Sequence, residues 1–285
     1  MDHITEVFVI NMNESKDRLL KFDLNMKKNN IKYKRWNASN GKLLSNADLI
    51  KYSGNLCRNI MCTDGMIGCF LSHKLLWNHI QDTYKEGWFL IFEDDAHITS
   101  DFLINLKAIF EDDMVNWDEK YRRPEMINMA SDIIGYKITP HLYSVPIMNT
   151  TRCYLVNMKG VNKLIKQMNK IHHHIDMSLT FYQLIKNNIS FYVTKNYVKS
   201  DDNYTSTISA NSYPKLFPLI LNQLLNIFGL PSSYYIFYNS VIIGYFNVTV
   251  VISILLIAFL LTKKQYILCS IYALIEIMLF LISSN

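Results

Sequence analysis

Three carboxylates in a row, Glu93-Asp94-Asp95, follow directly on the apolar run Trp88-Phe89-Leu90-Ile91-Phe92. At the exit of a buried strand such groups repel one another and are costly to keep ionised unless a cation offsets them. Oxygen-only donors suit a hard divalent ion, Mn²⁺ or Mg²⁺, better than zinc. Alternate residues of an extended segment point the same way, so Glu93 and Asp95 can reach one ion while Asp94 turns aside. The competing reading is a solvated loop whose acids cap the next helix. The wholly apolar strand before them favours the metal.

Other chemistry-bearing residues are sparser. Arg18 follows the first apolar run and is either a surface cation or a phosphate partner at that strand's end. Ser72-His73 falls on a helical stretch before the acids, where a lone histidine is more often a core or surface residue than a catalytic one. His172-His173-His174 does not suggest zinc, because consecutive residues cannot all face one ion and no partner pattern accompanies them. Cys57, Cys62 and Cys69 lack a zinc spacing and read as buried or free thiols; His97 reads as incidental.

The elements that must position these groups alternate in period. Val7–Asn11 is a strand, and Asn13 or Ser15 can cap a helix with Leu19, Phe22 and Met26 on one face. Ile31–Trp36 is a second strand. A helix around Ile67–Ile80 precedes the buried strand of Trp88–Phe92, and Asp101 can cap a helix carrying Phe102, Leu106 and Phe110. Strands at Met126–Met129 and Cys153–Val156 and a helix between Gly160 and Met168 follow. This alternation predicts an α/β head with a mainly parallel sheet, in which ligands collect at the carboxyl ends of strands.

Composition narrows the class. Of 285 residues, 50% are apolar and 19% charged, which excludes a disordered chain. A formal charge of +5 is too mild to imply nucleic-acid binding, and none is expected. Five cysteines spread over this length do not form a disulfide scaffold.

The last fifth is far more apolar. Val241 to Leu261 carries no charge and matches the roughly 20 residues of a membrane-spanning helix. Lys263-Lys264-Gln265 interrupts it. Tyr266 to Ile282 follows with only Glu276 charged, a carboxyl group costing about 2.5–3.5 kcal/mol at mid-membrane. The expected division is a head at 1–212, an amphipathic connector at 213–238 and a membrane tail at 239–285, with helices at about 241–261 and 266–282. Within the connector, the apolar face of Leu216–Phe228 lies on the membrane surface or packs on the head. The positive-inside rule puts Lys263 and Lys264 in the cytosol and the head outside, and Asn13, Asn37, Asn149, Asn188, Asn203 and Asn247 begin Asn-x-Ser/Thr triplets. The start of the chain nevertheless does not read as a secretory signal, so a cytosol-facing head is the expectation.

Taken together the head resembles glycosyltransferase family 25, the lipooligosaccharide and collagen galactosyltransferase relatives. The matching pieces are Val9–Met12, Asp17-Arg18, Ala38-Ser39-Asn40-Gly41, Gly68-Cys69-Phe70-Leu71-Ser72-His73 with Trp77, and Leu90–Ala96. Further on come Cys153–Leu164 with its tyrosine, Asp176 and Ser206-Thr207-Ile208. Met12 and Asn40 depart from the usual Leu and Asp. The resemblance implies a GT-A-like nucleotide-diphospho-sugar transferase head, using Mn²⁺ or Mg²⁺ on Glu93 and Asp95. It implies inverting transfer of a hexose, typically galactose, from a UDP-sugar to a hydroxyl of a glycan, lipooligosaccharide or hydroxylysine. Asn11, Arg18, Ala38, Gly41, Ser72 and His73 would bind the nucleotide sugar. Asp176, or in its stead Asp94, would be the catalytic base; the competing reading of Asp176 is the N-cap of a helix. Two other readings stay open: a metal-dependent nucleotide hydrolase, disfavoured by the lack of a glycine-rich phosphate loop, and a catalytically inactive membrane scaffold.

Overall fold

A computed structural model of the chain describes residues 1–55, 57–58, 62–132, 135–145, 148, 150–172, 174–184, 189–200 and 248–283. Residues 201–212 of the head, with the Ser206-Thr207-Ile208 match, the amphipathic connector, residues 241–247 of the first apolar run and the triplets at Asn149, Asn188, Asn203 and Asn247 lie outside them.

The head is built on one mixed sheet. Its strands are β1 (Ile4–Asn11), β2 (Lys34–Asn37), β3 (Trp88–Glu93), β5 (Met126–Asn128), β6 (Tyr136–Lys137), β7 (Tyr143–Ser144), β8 (Cys153–Asn157) and β9 (Phe191–Val193), in the spatial order β2-β1-β3-β8-β5-β9-β7-β6. β1 pairs in parallel with both β2 and β3, and β5 with β9. Only β8 and β7 run against the rest. The expected mainly parallel direction therefore holds, with two reversals that periodicity did not reveal. A small antiparallel pair, β4 (Ala96–Ile98) with β10 (Val198–Ser200), lies just beyond β3.

Strand alternation sorts the core into two layers. Phe89 and Ile91 of β3, Phe8 and Ile10 of β1, and Tyr154 and Val156 of β8 share one cluster with Ile67, Phe70, Trp77 and Ile80. Those last four come from helix α3 (Asp64–Thr83). The same cluster takes Val161 and Leu164 of α5 (Met158–Gln167) and Leu179 of α6 (Ile175–Leu184). The other faces of the same strands, Leu90 and Phe92, Val7 and Val9, Cys153 and Leu155, pack with Phe22 and Met26 of α1 (Lys16–Lys28). Phe102 and Leu106 of α4 (Phe102–Ala108) complete that layer. Helices thus cover both faces, which is why β3 can be apolar throughout.

Several local readings change. Ser15 is the N-cap of α1 and Asp101 that of α4, but neither side chain accepts a capping hydrogen bond. The helix carrying Phe102 and Leu106 passes into a π turn over Ile109–Asp113, which takes Phe110. The second strand begins at Lys34 rather than Ile31. Cys57 and Cys62 are joined in a disulfide, not free; Cys69 and Cys153 are free. Five residues apart, the first two were too far from any recognisable framework for their pairing to be read. Helices α7 (Val248–Thr262) and α8 (Tyr266–Ser283) occupy the apolar tail, as expected from its composition. Among the described residues, however, no helix is long and apolar enough to cross a membrane: α7 spans 15 residues against the roughly 20 required.

A Gly–Gly contact sets the wall of the head nearest the acids. Segment 38–41 lies against the first turns of α3, and a Cβ on Gly68 would meet the Gly41 nitrogen and the Ser39 oxygen at 2.6 Å. Alanine is the better helix former by about 1 kcal/mol. Gly68→Ala should nevertheless lower the unfolding free energy by about 1–3 kcal/mol, as overpacking does. Urea titration of the two forms measures this, and an unchanged or raised midpoint would show that the wall can yield.

Candidate active site

The cleft lies where the carboxyl ends of β1 and β3 meet the starts of α1 and α3. It has a volume of about 480 Å³, and its walls include Met12, Arg18, Ala38, Asn40, Gly41, Lys42, Cys69, Ser72, His73, Glu93, Asp94 and Asp95. Almost every residue expected from the sequence therefore converges on one place. Asn11 stands just beneath it, buried at the last position of β1.

Alternation along β3 decides where each acid goes. Glu93 continues the face of Phe89 and Ile91 towards α3, where its Oε1 accepts from Thr151 Oγ1 at 2.6 Å and faces His73 Nε2 at 3.4 Å. Asp94 turns to the α1 side, as the period predicts. There it accepts from Asn11 Nδ2 at 2.8 Å and pairs with Arg18 Nη1 at 3.3 Å. Asp95 follows in the turn. Its Oδ2 is 3.6 Å from Arg152 Nε, beyond hydrogen-bond reach, and its buried Oδ1 has no partner among the described residues.

The electrostatics follow from these contacts. Burial works against ionised Glu93, but the hydrogen bonds from His73 and Thr151 and the nearby Arg152 outweigh it and hold the carboxyl below its ordinary range. Burial pushes Asp94 up, opposed by Asn11 and Arg18. Burial, then the charge of Glu93, raise Asp95 to about 6 against the pull of Arg152. An unpartnered oxygen on a desolvated acid is what a cation would correct. Oxygen donors of this kind suit a hard ion such as Mn²⁺ or Mg²⁺, which Glu93 and Asp95 would hold. Cys69, His73 and Glu93 also place ligand atoms within 4.8 Å of one another. Burial and the carboxylates of Glu93, Asp176 and Asp95 push the Cys69 thiol well up in the metal-free protein.

Ser72 lines the cleft and also holds its wall together. Its hydroxyl donates to Gly68 O at 2.6 Å and accepts from Ser39 N at 2.8 Å, while its own carbonyl takes the Trp36 indole at 3.2 Å. It ties segment 38–41 to α3 and so builds the wall that Ala38 and Gly41 form. Asn40 caps the short turn at Gly41–Leu43 by accepting from Lys42 N, a bond that an amide oxygen makes as well as the usual carboxylate.

Asp176 is not on the cleft wall. It sits inside the first turn of α6 rather than at its N-cap, buried, with His174 Nδ1 at 2.6 Å from its Oδ1. His97 contacts Asn25 at 3.4 Å, away from the cleft. Sequence reasoning missed Thr151 and Arg152. They precede β8, and the antiparallel pairing of β8 with β3 sets Cys153 beside Phe92 and sends the Arg152 carbonyl to Glu93 N at 2.8 Å. Nothing in the local pattern signalled that reversal.

Comparison with known proteins now bears on this site. A family model described as "Glycosyltransferase family 25 (LPS biosynthesis protein)" matches residues 4–179. The chain belongs to this family. Within family 25, a Bos taurus protein named "Probable inactive glycosyltransferase 25 family member 3" is 26% identical over 175 residues, covering 56% of this chain and 28% of that protein. Mus musculus "Procollagen galactosyltransferase 2" is 25% identical over 170 residues, covering 56% and 27%. The chain thus spans about a quarter of the length of these relatives. The crystal structure of a glycosyltransferase involved in the glycosylation of the major capsid of PBCV-1 overlaps with a TM-score of 0.34 at 9% identity. It covers 67% of this chain and 80% of that one, too loose a match to define the fold.

The Asp95 environment gives a pH signature in the metal-free protein. Its folded value lies above its ordinary 3.8, so folding favours the protonated acid, and stability is lost as pH rises from about 4 through about 6. Asp95→Asn, which mimics the protonated form, should therefore be more stable than wild type by up to about 3 kcal/mol at pH 7 and nearly equal to it at pH 4. Denaturant melts at the two pH values, with chelator present, check this. A variant less stable at pH 7 would contradict the assigned strain.

Proposed function

We propose that the chain is a membrane-tethered, metal-dependent inverting glycosyltransferase with a GT-A-like head. It would move a hexose, galactose first among candidates, from a UDP-sugar to a hydroxyl of a glycan, lipooligosaccharide or hydroxylysine acceptor. The observation that carries this reading is the partnerless Asp95 oxygen beside Glu93, in a cleft at the ends of parallel strands. Membership of family 25 supports the transferase class, and the galactosyltransferase relatives support the sugar.

Glu93 and Asp95 would hold Mn²⁺ or Mg²⁺, which when bound offsets the charge that develops on a departing diphosphate. Arg18 and Lys42 on the cleft wall, and Arg152 behind Asp95, add fixed positive charge for the same group. In the transfer, the acceptor oxygen bonds to the anomeric carbon as the bond from that carbon to the diphosphate breaks, and the hydroxyl proton passes to a carboxylate. Of the two acids expected as base, Asp94 lines the cleft and Asp176 does not, which favours Asp94.

The apolar runs of the tail support membrane attachment. The Cys57–Cys62 bridge favours an oxidising compartment for the head over the cytosol-facing placement. It agrees with Lys263 and Lys264 on the cytosolic side of a single crossing. A second reading, a catalytically inactive scaffold, is favoured by the relatives named as inactive.

Two measurements separate these readings. Full-length chain in detergent, given Mn²⁺ and a panel of nucleotide sugars, should transfer or slowly hydrolyse one donor. Asp95→Asn should reduce that rate by about 100-fold or more while the metal-free variant remains folded and at least as stable as wild type. Wild-type turnover in the variant would exclude the metal role, and no metal-dependent UDP binding in the parent chain would favour the scaffold.

A further inference from the structure

Trp77 and Tyr154 share the buried layer with His73 and have no part in the site as described so far. Trp77 Nε1 donates to Tyr154 Oη at 2.9 Å, and Tyr154 Oη lies 2.9 Å from His73 Nδ1. All three side chains are 1% exposed or less. An indole N–H can only donate, so it occupies a lone pair of the phenol oxygen. The phenol proton then has one acceptor within reach among the described residues, His73 Nδ1. Were Nδ1 protonated instead, the Tyr154 oxygen would face two donors and its own proton would be buried without a partner, which costs about 1–3 kcal/mol. The Nε2 lone pair would also point at the Glu93 carboxylate.

We propose that Tyr154, oriented by Trp77, is a positioning residue that locks His73 in its Nε2–H tautomer, so that His73 donates to Glu93 and is not a metal ligand. This rests on the reading of Glu93 and Asp95 as the cation site and selects between it and the Cys69-His73-Glu93 cluster. With Nδ1 taken by the phenol and Nε2 by its proton, His73 has no lone pair to offer an ion. Both bonds that Glu93 accepts fall on Oε1, and among the described residues none falls on Oε2. The relay therefore orients the carboxylate through one oxygen and leaves the other for a cation. It also accounts for a tryptophan four residues after the histidine and a tyrosine in the middle of β8, two positions to which pattern alone assigns no task.

Long-range ¹H–¹⁵N correlation of histidine-labelled, metal-free chain reads the tautomer directly, with the His73 signal assigned by its loss in His73→Gln. The expected pattern is protonated Nε2 and bare Nδ1; protonated Nδ1 would overturn the proposal whatever the enzyme does. Tyr154→Phe keeps the ring and removes the hydroxyl. It should weaken Mn²⁺ binding, measured by calorimetry, about tenfold, with sugar transfer recovered at saturating Mn²⁺. Wild-type Mn²⁺ affinity in a folded Tyr154→Phe would refute the positioning role, and Trp77→Phe gives the same test if the first variant fails to fold. Co²⁺ in place of Mn²⁺ should show no thiolate charge-transfer band, and a band abolished by Cys69→Ser would place the ion on the soft cluster and overturn the assignment. The expected tautomer and Mn²⁺ affinity in a chain that transfers no sugar would support the relay while refuting the transferase reading.

Discussion

The site depends on the parallel pairing of β1 with β3, which brings Ile10 level with Glu93 and ends both strands at one edge. Because side chains alternate, that register sends Glu93 to the α3 layer and Asp94 to the α1 layer, and leaves Asp95 in the turn between them. A slip of one residue would exchange the layers. Glu93 would then lose His73 and Thr151, and Asp94 would lose Asn11 and Arg18. The aromatic residues that hold the register, Phe89, Phe92, Phe8 and Phe22, are all buried, so the placement of the acids rests on core packing rather than on polar contacts.

Each acid is then tuned by a different neighbour. Glu93 is kept ionised by donors from α3 and from the segment before β8, and Asp94 is half-compensated by Asn11 and Arg18. Asp95 is left short of partners with Arg152 nearby but not bonded. Structural acids are normally satisfied, as Glu125 is by Lys163 and Ser190 N elsewhere in this fold. The contrast between Glu125, buried just before β5, and Asp95, partly exposed in the turn after β3, separates an acid that holds the fold together from one that the fold leaves available.

Much of this was legible from residue order. The buried strand, its acidic exit and the flanking helices have local signatures, an unbroken apolar run and a four-residue apolar period, while the wall residues 38–41 were expected from the family resemblance alone. Residues with no such signature were missed or misjudged. Thr151 and Arg152 reach the acids only because β8 runs antiparallel to β3, and an apolar run carries no mark of its direction. Ser72, expected from the family resemblance as a ligand contact, lines the cleft, but its bonds to Gly68 and Ser39, which tie the wall to α3, carried no local mark. Cys57 and Cys62 pair at a separation of five residues, a spacing that matched no recognised cysteine framework.

What the sequence determined by itself was the chemistry available and the edge at which it would gather, since period and polarity are local and survive without neighbours. Tertiary structure alone decided which acid is satisfied and which is not, that Asp176 lies off the cleft wall, and that Trp77, Tyr154 and His73 form one chain of bonds. Those outcomes depend on contacts between residues 20 to 83 apart in the chain or on strand direction. They are set by how two helical layers close over one sheet, and no run of neighbouring residues encodes that.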